Sequence, residues 1–200
     1  LITRAPGAWV SRAALEPRAS IASPADHPHV IELIRSHEGD EAAAICARWL
    51  EAYPQRCWVS WSDAGELTAV ILRALIDTHA VAPLDDLVTT RSLAALSGGP
   101  RFVYMNRFLV DRTAYHALTA SIMPAIVAAV RDTLVTEHQA HVTVLRDGPA
   151  SALFRSAAAL PLLPGTTTRI GAHDYVGLGG VLGGDVEATQ GFFIFVATQW

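Results

Sequence analysis

The chain has 200 residues, 51% of them hydrophobic and 17% charged. This excludes a disordered chain, which carries the reverse balance, and the length suits one compact domain. The formal net charge of −4 excludes a dedicated nucleic-acid or anionic-membrane binder, because both need a basic field. All 15 basic residues are arginine, so phosphate-loop, Schiff-base and kinase-type lysine chemistry is excluded too.

Residues 1–17 mix Pro6, Gly7 and Pro17 with scattered arginines and show no period. They read as an N-terminal arm or linker ahead of a single domain over 18–200. An extended piece runs to Ser23, which suits a helix N-cap, with Pro24 at the first helical position. Val30, Ile31, Leu33 and Ile34 then form one apolar face of a helix that stops near Gly39. Asp40 is placed to cap a second helix through Ala43, Ala44, Ala47 and Leu50, ending before Pro54. Residues 56–61 read as a strand and 63–66 as a turn. Residues 67–76 form an almost wholly apolar strand, hence a central one. Residues 79–99 hold a short helical piece over 84–96 and end in Ser97-Gly98-Gly99-Pro100; they read as an insertion or lid.

Residues 101–110 form a third strong strand and 111–119 a loop. A long helix follows, with Ile122, Ile126, Val127, Val130 and Leu134 on one stripe. Pro124 fits it only in the first turn. The stretch 113–130 lacks formal charge but carries Tyr115, His116, Thr119, Ser121 and Pro124, which suits a core helix better than a membrane span. Residues 141–145 form a short strand and 147–149 a turn. Ser151 caps a helix over 152–160, closed by Pro161 and Pro164. Residues 166–176 and 191–198 are strands, separated by the glycine-dense 177–184, read as a flexible connection. Cys46 and Cys57 cannot alone build a disulfide framework or a four-ligand zinc site; they read as free, buried thiols in a reducing cytoplasm. The start carries neither a secretory pattern nor a methionine, which suits a processed product or a domain of a longer chain.

This order predicts a mixed α/β (α+β) layer fold. It resembles the GNAT-type N-acetyltransferase superfamily. Residues 18–35 are similar to that superfamily's first strand and helix, 56–76 to its second and third strands, and 101–110 to its fourth. Residues 120–138 would be its cofactor-facing helix, with 141–145 and 152–160 its fifth strand and fourth helix. The resemblance implies a mixed, mostly antiparallel central sheet with helices on both faces. The fourth and fifth strands would splay so that the pantetheine arm of acetyl-CoA or another acyl-CoA pairs with exposed strand backbone. The pyrophosphate would sit on N–H groups at the start of the next helix.

The cofactor contacts so implied are Val110, Tyr115, Leu118, Thr119 and Ala120. The superfamily's loop is Arg or Gln, two residues, Gly, one residue, then Gly or Ala. Here Ala120 fits, Tyr115 replaces the cation or amide, and Leu118 replaces the first glycine, adding bulk where phosphate meets backbone. Arg112 and Arg155 are the nearest substitute cations. Many members use a glutamate near the fourth strand and a tyrosine in the fourth helix. This strand offers Tyr104 and Asn106 but no carboxylate before Asp111, and the helix offers Phe154 and Ser156. Tyr104 and Asn106 alternate onto one side of their strand. They are the candidate catalytic pair of an acceptor cleft, weighed against a pair merely satisfied by neighbouring backbone.

The function so implied is acyl-CoA-dependent acyl transfer to an unidentified small amine or other nucleophile. The alternative is a catalytically silent GNAT-like module of a larger bacterial protein that senses a ligand or binds a protein. A third option is altered thioester chemistry such as decarboxylation, with His173 and Thr143 as participants. His27/His29 and His138/His141 straddle a helix start and a helix end, so no metal is expected. The further expectations are a cytoplasmic location, no nucleic-acid or membrane partner, and either a homodimer or attachment to a multidomain chain.

Overall fold

The structure is a computed structural model that describes residues 19–62, 64–80, 84–96, 98–111, 139–157 and 160–181. The expected arm (1–17), the cofactor-facing helix and the strand at 191–198 lie outside the described residues.

Seven strands form one sheet in the order β1-β2-β3-β4-β5-β7-β6. They are β1 (Ala19–Ile21), β2 (Cys57–Trp61), β3 (Leu67–Asp77), β4 (Phe102–Asp111), β5 (Ala140–Arg146), β6 (Thr168–Ile170) and β7 (His173–Val181). Every neighbouring pair is antiparallel except β4 and β5. The helices are α1 (His27–Glu38), α2 (Asp40–Ala52), α3 (Leu87–Ala94) and α4 (Pro149–Ala157). Among the described residues no helix is long and apolar enough to cross a membrane.

The central position of β3 follows from its composition: it is apolar on both faces and is paired on both edges, with β2 and β4. Its residues Val70, Leu72, Ala74 and Ile76 join Val103, Met105, Phe108 and Val110 of β4 in the main core. Val30, Leu33 and Ile34 of α1 and Ile45, Cys46, Trp49 and Leu50 of α2 close that core. On the opposite face Leu145, Val176 and Leu178 pack against Phe154 of α4.

Several element ends differ from the sequence reading. The first helix begins at His27, because Asp26 takes the Ser23 N–H and hydroxyl and closes a turn over 24–26. Gly39, at φ +90°, joins α1 directly to α2, so Asp40 is already helical. Pro149 opens α4, and Ser151 sits inside its first turn, accepting the Gly148 N–H. The expected strand 166–176 is a hairpin, turned at Gly171 with φ +56°.

The largest correction concerns the glycine-dense stretch. Gly177 to Val181 is not a connection but the second half of β7, paired along β5. A Cβ on Gly177 would overlap the Ser92 hydroxyl of α3, and one on Gly179 would overlap the His141 carbonyl of β5. The glycines let a helix and a neighbouring strand approach bare backbone. Residues 84–96, read from sequence as part of an insertion or lid, are packed. Leu84, Val88 and Leu96 belong to the main core, and Ser92 is buried beneath β7.

Candidate active site

The two parallel strands part company midway. Their register runs from Val103 opposite Ala140 to Asn106 opposite Thr143 and then ends. Beyond it β4 continues along β3, with Val110 opposite Val70. β5 follows β7 instead, with Arg146 opposite Tyr175. The closed end of this wedge is fastened by Gln139, whose side chain accepts the backbone N–H groups of Arg101 and Phe102 at 2.7 and 3.2 Å. The open end begins at a bulge. Phe108 faces Leu72 and Asn106 faces Arg73, so Arg107 is the extra residue on β4. A bulge bends its strand, here where the partner strand leaves.

A small cleft opens in the wedge, with an enclosed volume of about 10 Å³, room for about one water. It is lined by Glu38, Arg107, Leu109, Val144, Leu145, Arg146, Ala150 and Tyr175. The lining has two characters. Leu109 and Leu145 belong to the small apolar cluster on the α4 face. Glu38, Arg107 and Tyr175 stand on the α1–α2 face. The cleft therefore runs between the two sides of the sheet, apolar at one end and polar at the other.

Each polar group is held. Glu38 sits four residues after Ile34 and eight after Val30, on the buried stripe of α1. It accepts the Tyr175 hydroxyl at 2.7 Å. Burial, reinforced by the Glu38 charge, pushes the Tyr175 phenol far above its usual range, so it stays a donor. Arg107 is fully buried and pairs with Asp86 through Nε at 2.5 Å and Nη2 at 3.4 Å. Asp86 also accepts Thr89 at 2.7 Å and the Trp49 indole at 3.1 Å. Asp85 takes a left-handed φ of +47° just before it, and Arg48 of α2 clasps the Leu84 and Asp85 carbonyls at 2.8 and 3.1 Å. Burial alone would neutralise both members of the pair. Their mutual attraction outweighs it, so Asp86 lies below and Arg107 above its ordinary pKa. The Arg107 guanidinium also lies over Phe108 at 4.2 Å and faces Tyr175 at 5.3 Å from the ring centres.

No protein-family model matches the sequence, and no curated protein matches it. Solved structures do. FeeM, an N-acyl amino acid synthase from uncultured soil microbes, superposes with a TM-score of 0.60 at 14% identity, over 88% of this chain and 95% of its own. The NatC complex bound to Gag peptide and CoA gives 0.54 at 8%, over 82% and 98%. The Drosophila melanogaster polyamine N-acetyltransferase gives 0.53 at 11%, over 82% and 98%. The chain has the GNAT-type fold.

Within that GNAT-type sheet the sequence-derived candidates separate. Tyr104 and Asn106 do share a face, but it is the one turned away from the Glu38–Tyr175 end. Tyr104 is buried, stacked on His141 at 6.1 Å and covered by the Arg73 guanidinium at 4.2 Å. The Asn106 amide meets His141 Nε2 and Thr143 Oγ1, each at 3.1 Å. Val110 is buried in the main core and is not among the residues lining the cleft. Tyr115, Leu118, Thr119 and Ala120 lie outside the described residues, as does Arg112. His173 stands at the start of β7, its pKa lowered by burial and by the Arg146 charge. The two cysteines are free and buried. Burial pushes the Cys46 thiol up to about 12 and Cys57 higher still, which leaves neither a thiolate at neutral pH. Among the described residues no three His, Cys, Asp or Glu side chains gather as a metal site.

The sequence reading passed over Glu38, Arg107 and Tyr175. Two of them carried a signal. Glu38 continues the Val30–Ile34 spacing into a charged residue, and Arg107 interrupts an apolar strand. Tyr175 carried none; its partner Glu38 is 137 residues away.

Proposed function

We propose that the chain is an acyltransferase that takes an acyl-CoA, or a related acyl thioester, into the β4–β5 wedge and passes the acyl group to a small amine or another nucleophile. The observation that carries this reading is the cleft between the sheet's one parallel pair of strands, apolar at one end and holding a buried carboxylate at the other. The apolar walls Leu109, Leu145 and Ala150 suit the thioester arm, which supplies the activated acyl carbon. Strand backbone beyond Asn106 and Thr143 is free of the β4–β5 ladder and can bond the arm as an added strand would.

Glu38 is the group placed to take the proton of the attacking nucleophile. Its carboxylate is oriented by the Tyr175 hydroxyl at 2.7 Å. Main-chain N–H groups on the bent part of β4 are suited to the oxygen that gains charge as the carbonyl is attacked. Holding both reactants in one cleft supplies a further part of the rate, up to about 7–11 kcal/mol of barrier.

The test begins with a calorimetric titration of acetyl-CoA, followed by free-thiol release with a panel of amines. Binding and release are expected. Glu38→Gln, which keeps the Tyr175 hydrogen bond, should lower kcat by about 10²–10⁴-fold while acetyl-CoA affinity holds. Binding without release from any acceptor would replace this reading with a ligand-sensing module. Absence of binding at millimolar acetyl-CoA would end both.

A further inference from the structure

Two leucines narrow the wedge on its α4 side. Leu109 of β4 and Leu145 of β5 both line the cleft. Leu109 packs against the cluster that Leu145 forms with Phe154, Val176 and Leu178. The β4–β5 ladder, ending at Asn106 opposite Thr143, closes the vertex, and Val144 walls the cleft toward the main core. The enclosed room left is about 10 Å³, enough for one water or one methyl group. The other way out of it leads to Glu38, Arg107 and Tyr175. An alkyl chain turned that way would desolvate polar groups without bonding them.

We infer that Leu109 and Leu145 set the length of the acyl group, admitting acetyl and stopping longer straight chains. The inference rests on the acyl-transfer reading above and names the acyl class for that same cleft. An arm that enters by the open mouth and pairs with β4 beyond Asn106 brings its thioester end toward the vertex. The acyl group it carries then arrives at the enclosed room, and the methyl of acetyl fills it. Each further methylene must push Leu109 or Leu145 back onto Phe154, Val176 and Leu178. A packed interior yields to such overfilling only at a cost. An open apolar groove gives the opposite trend, because each buried methylene there adds to binding. Activity that falls with chain length is therefore the mark of a stop.

Acetyl-, butyryl- and hexanoyl-CoA test this with one acceptor that gives thiol release. From acetyl to butyryl kcat/KM should fall about 10- to 200-fold, and hexanoyl should be no better than butyryl. Leu109 is only partly buried, so Leu109→Ala is the milder opening of the stop and Leu145→Ala the deeper one. Either should bring butyryl to within about tenfold of acetyl. Equal turnover of all three thioesters by wild type overturns the inference and leaves acyl transfer standing. So do folded variants, checked by thermal melts, that both keep the wild-type ratio. The wild-type series needs no variant to fold. In a chain that releases no thiol, the same thioesters are titrated calorimetrically. A Kd that weakens with chain length supports the inference, and one that is constant or tightens overturns it. No heat from any of the three ends the acyl-transfer reading and the inference with it.

Discussion

Asp86 and Arg107 expose none of their side-chain surface, and a buried pair of this kind is costly to break from one side. Asp86→Asn would leave the guanidinium without its counter-charge and should cost about 3–5 kcal/mol in denaturant unfolding. The pH dependence has a definite sign. Burial works to raise the Asp86 carboxyl, but the Arg107 charge and the hydrogen bonds from Arg107, Thr89 and Trp49 bring it below its ordinary value of 3.8. The stabilisation is therefore present at neutral pH and is lost as pH falls below 3.8 through the folded value. The gap between wild type and Asp86→Asn should shrink over that acid range. A loss under about 1 kcal/mol at pH 7, or a gap flat with pH, would show that the pair contributes as little as a surface bridge. The sequence shows that Asp86 and Arg107 exist, but not that a turn at Asp85 aims one at the other. Residue-scale legibility ends where partners lie on different elements.

At the scale of elements, β7 shows what a pattern reading loses. Alternation is read from side chains, and a run of glycines has none, so Gly177 to Gly180 looks like a loop. Packing explains them instead. Gly179 has φ +142°, and a Cβ there would overlap the His141 backbone; Gly180, its neighbour, has nothing within 4 Å and no positive φ. Gly179→Ala should therefore destabilise by about 3 kcal/mol or more, from overpacking and backbone strain together. Gly180→Ala should stay within about 0.5 kcal/mol, as an ordinary surface change does. Paired thermal melts decide it, and equal effects at the two positions would refute the close approach of β5 and β7. By contrast β3 is legible as an almost unbroken apolar run, and α1 and α2 are legible through apolar residues at helical spacing.

The whole molecule is organised around one interruption. Among the described strands, five of the six neighbouring pairs are antiparallel, whereas β4 meets β5 in parallel and releases it after Asn106 and Thr143. Element order made the mixed sheet legible, whereas the bulge at Arg107 and the end of the ladder depend on pairing that no single segment encodes. Unpaired backbone in central strands is unfavourable unless something pairs with it, so a thioester bound there should stabilise the fold as a whole. At about 100 times its Kd, a ligand of the native state adds about 2.7 kcal/mol. For a domain of this size that is a Tm rise of roughly 5–10 °C. Ala150 of α4 lines the cleft and is half-buried, while Ala152 on the same helix is exposed. Ala150→Trp should fill the apolar end and abolish the rise given by acetyl-CoA, with the unliganded Tm little changed. Ala152→Trp should keep the rise. If both variants respond to acetyl-CoA as wild type does, the thioester does not enter between β4 and β5.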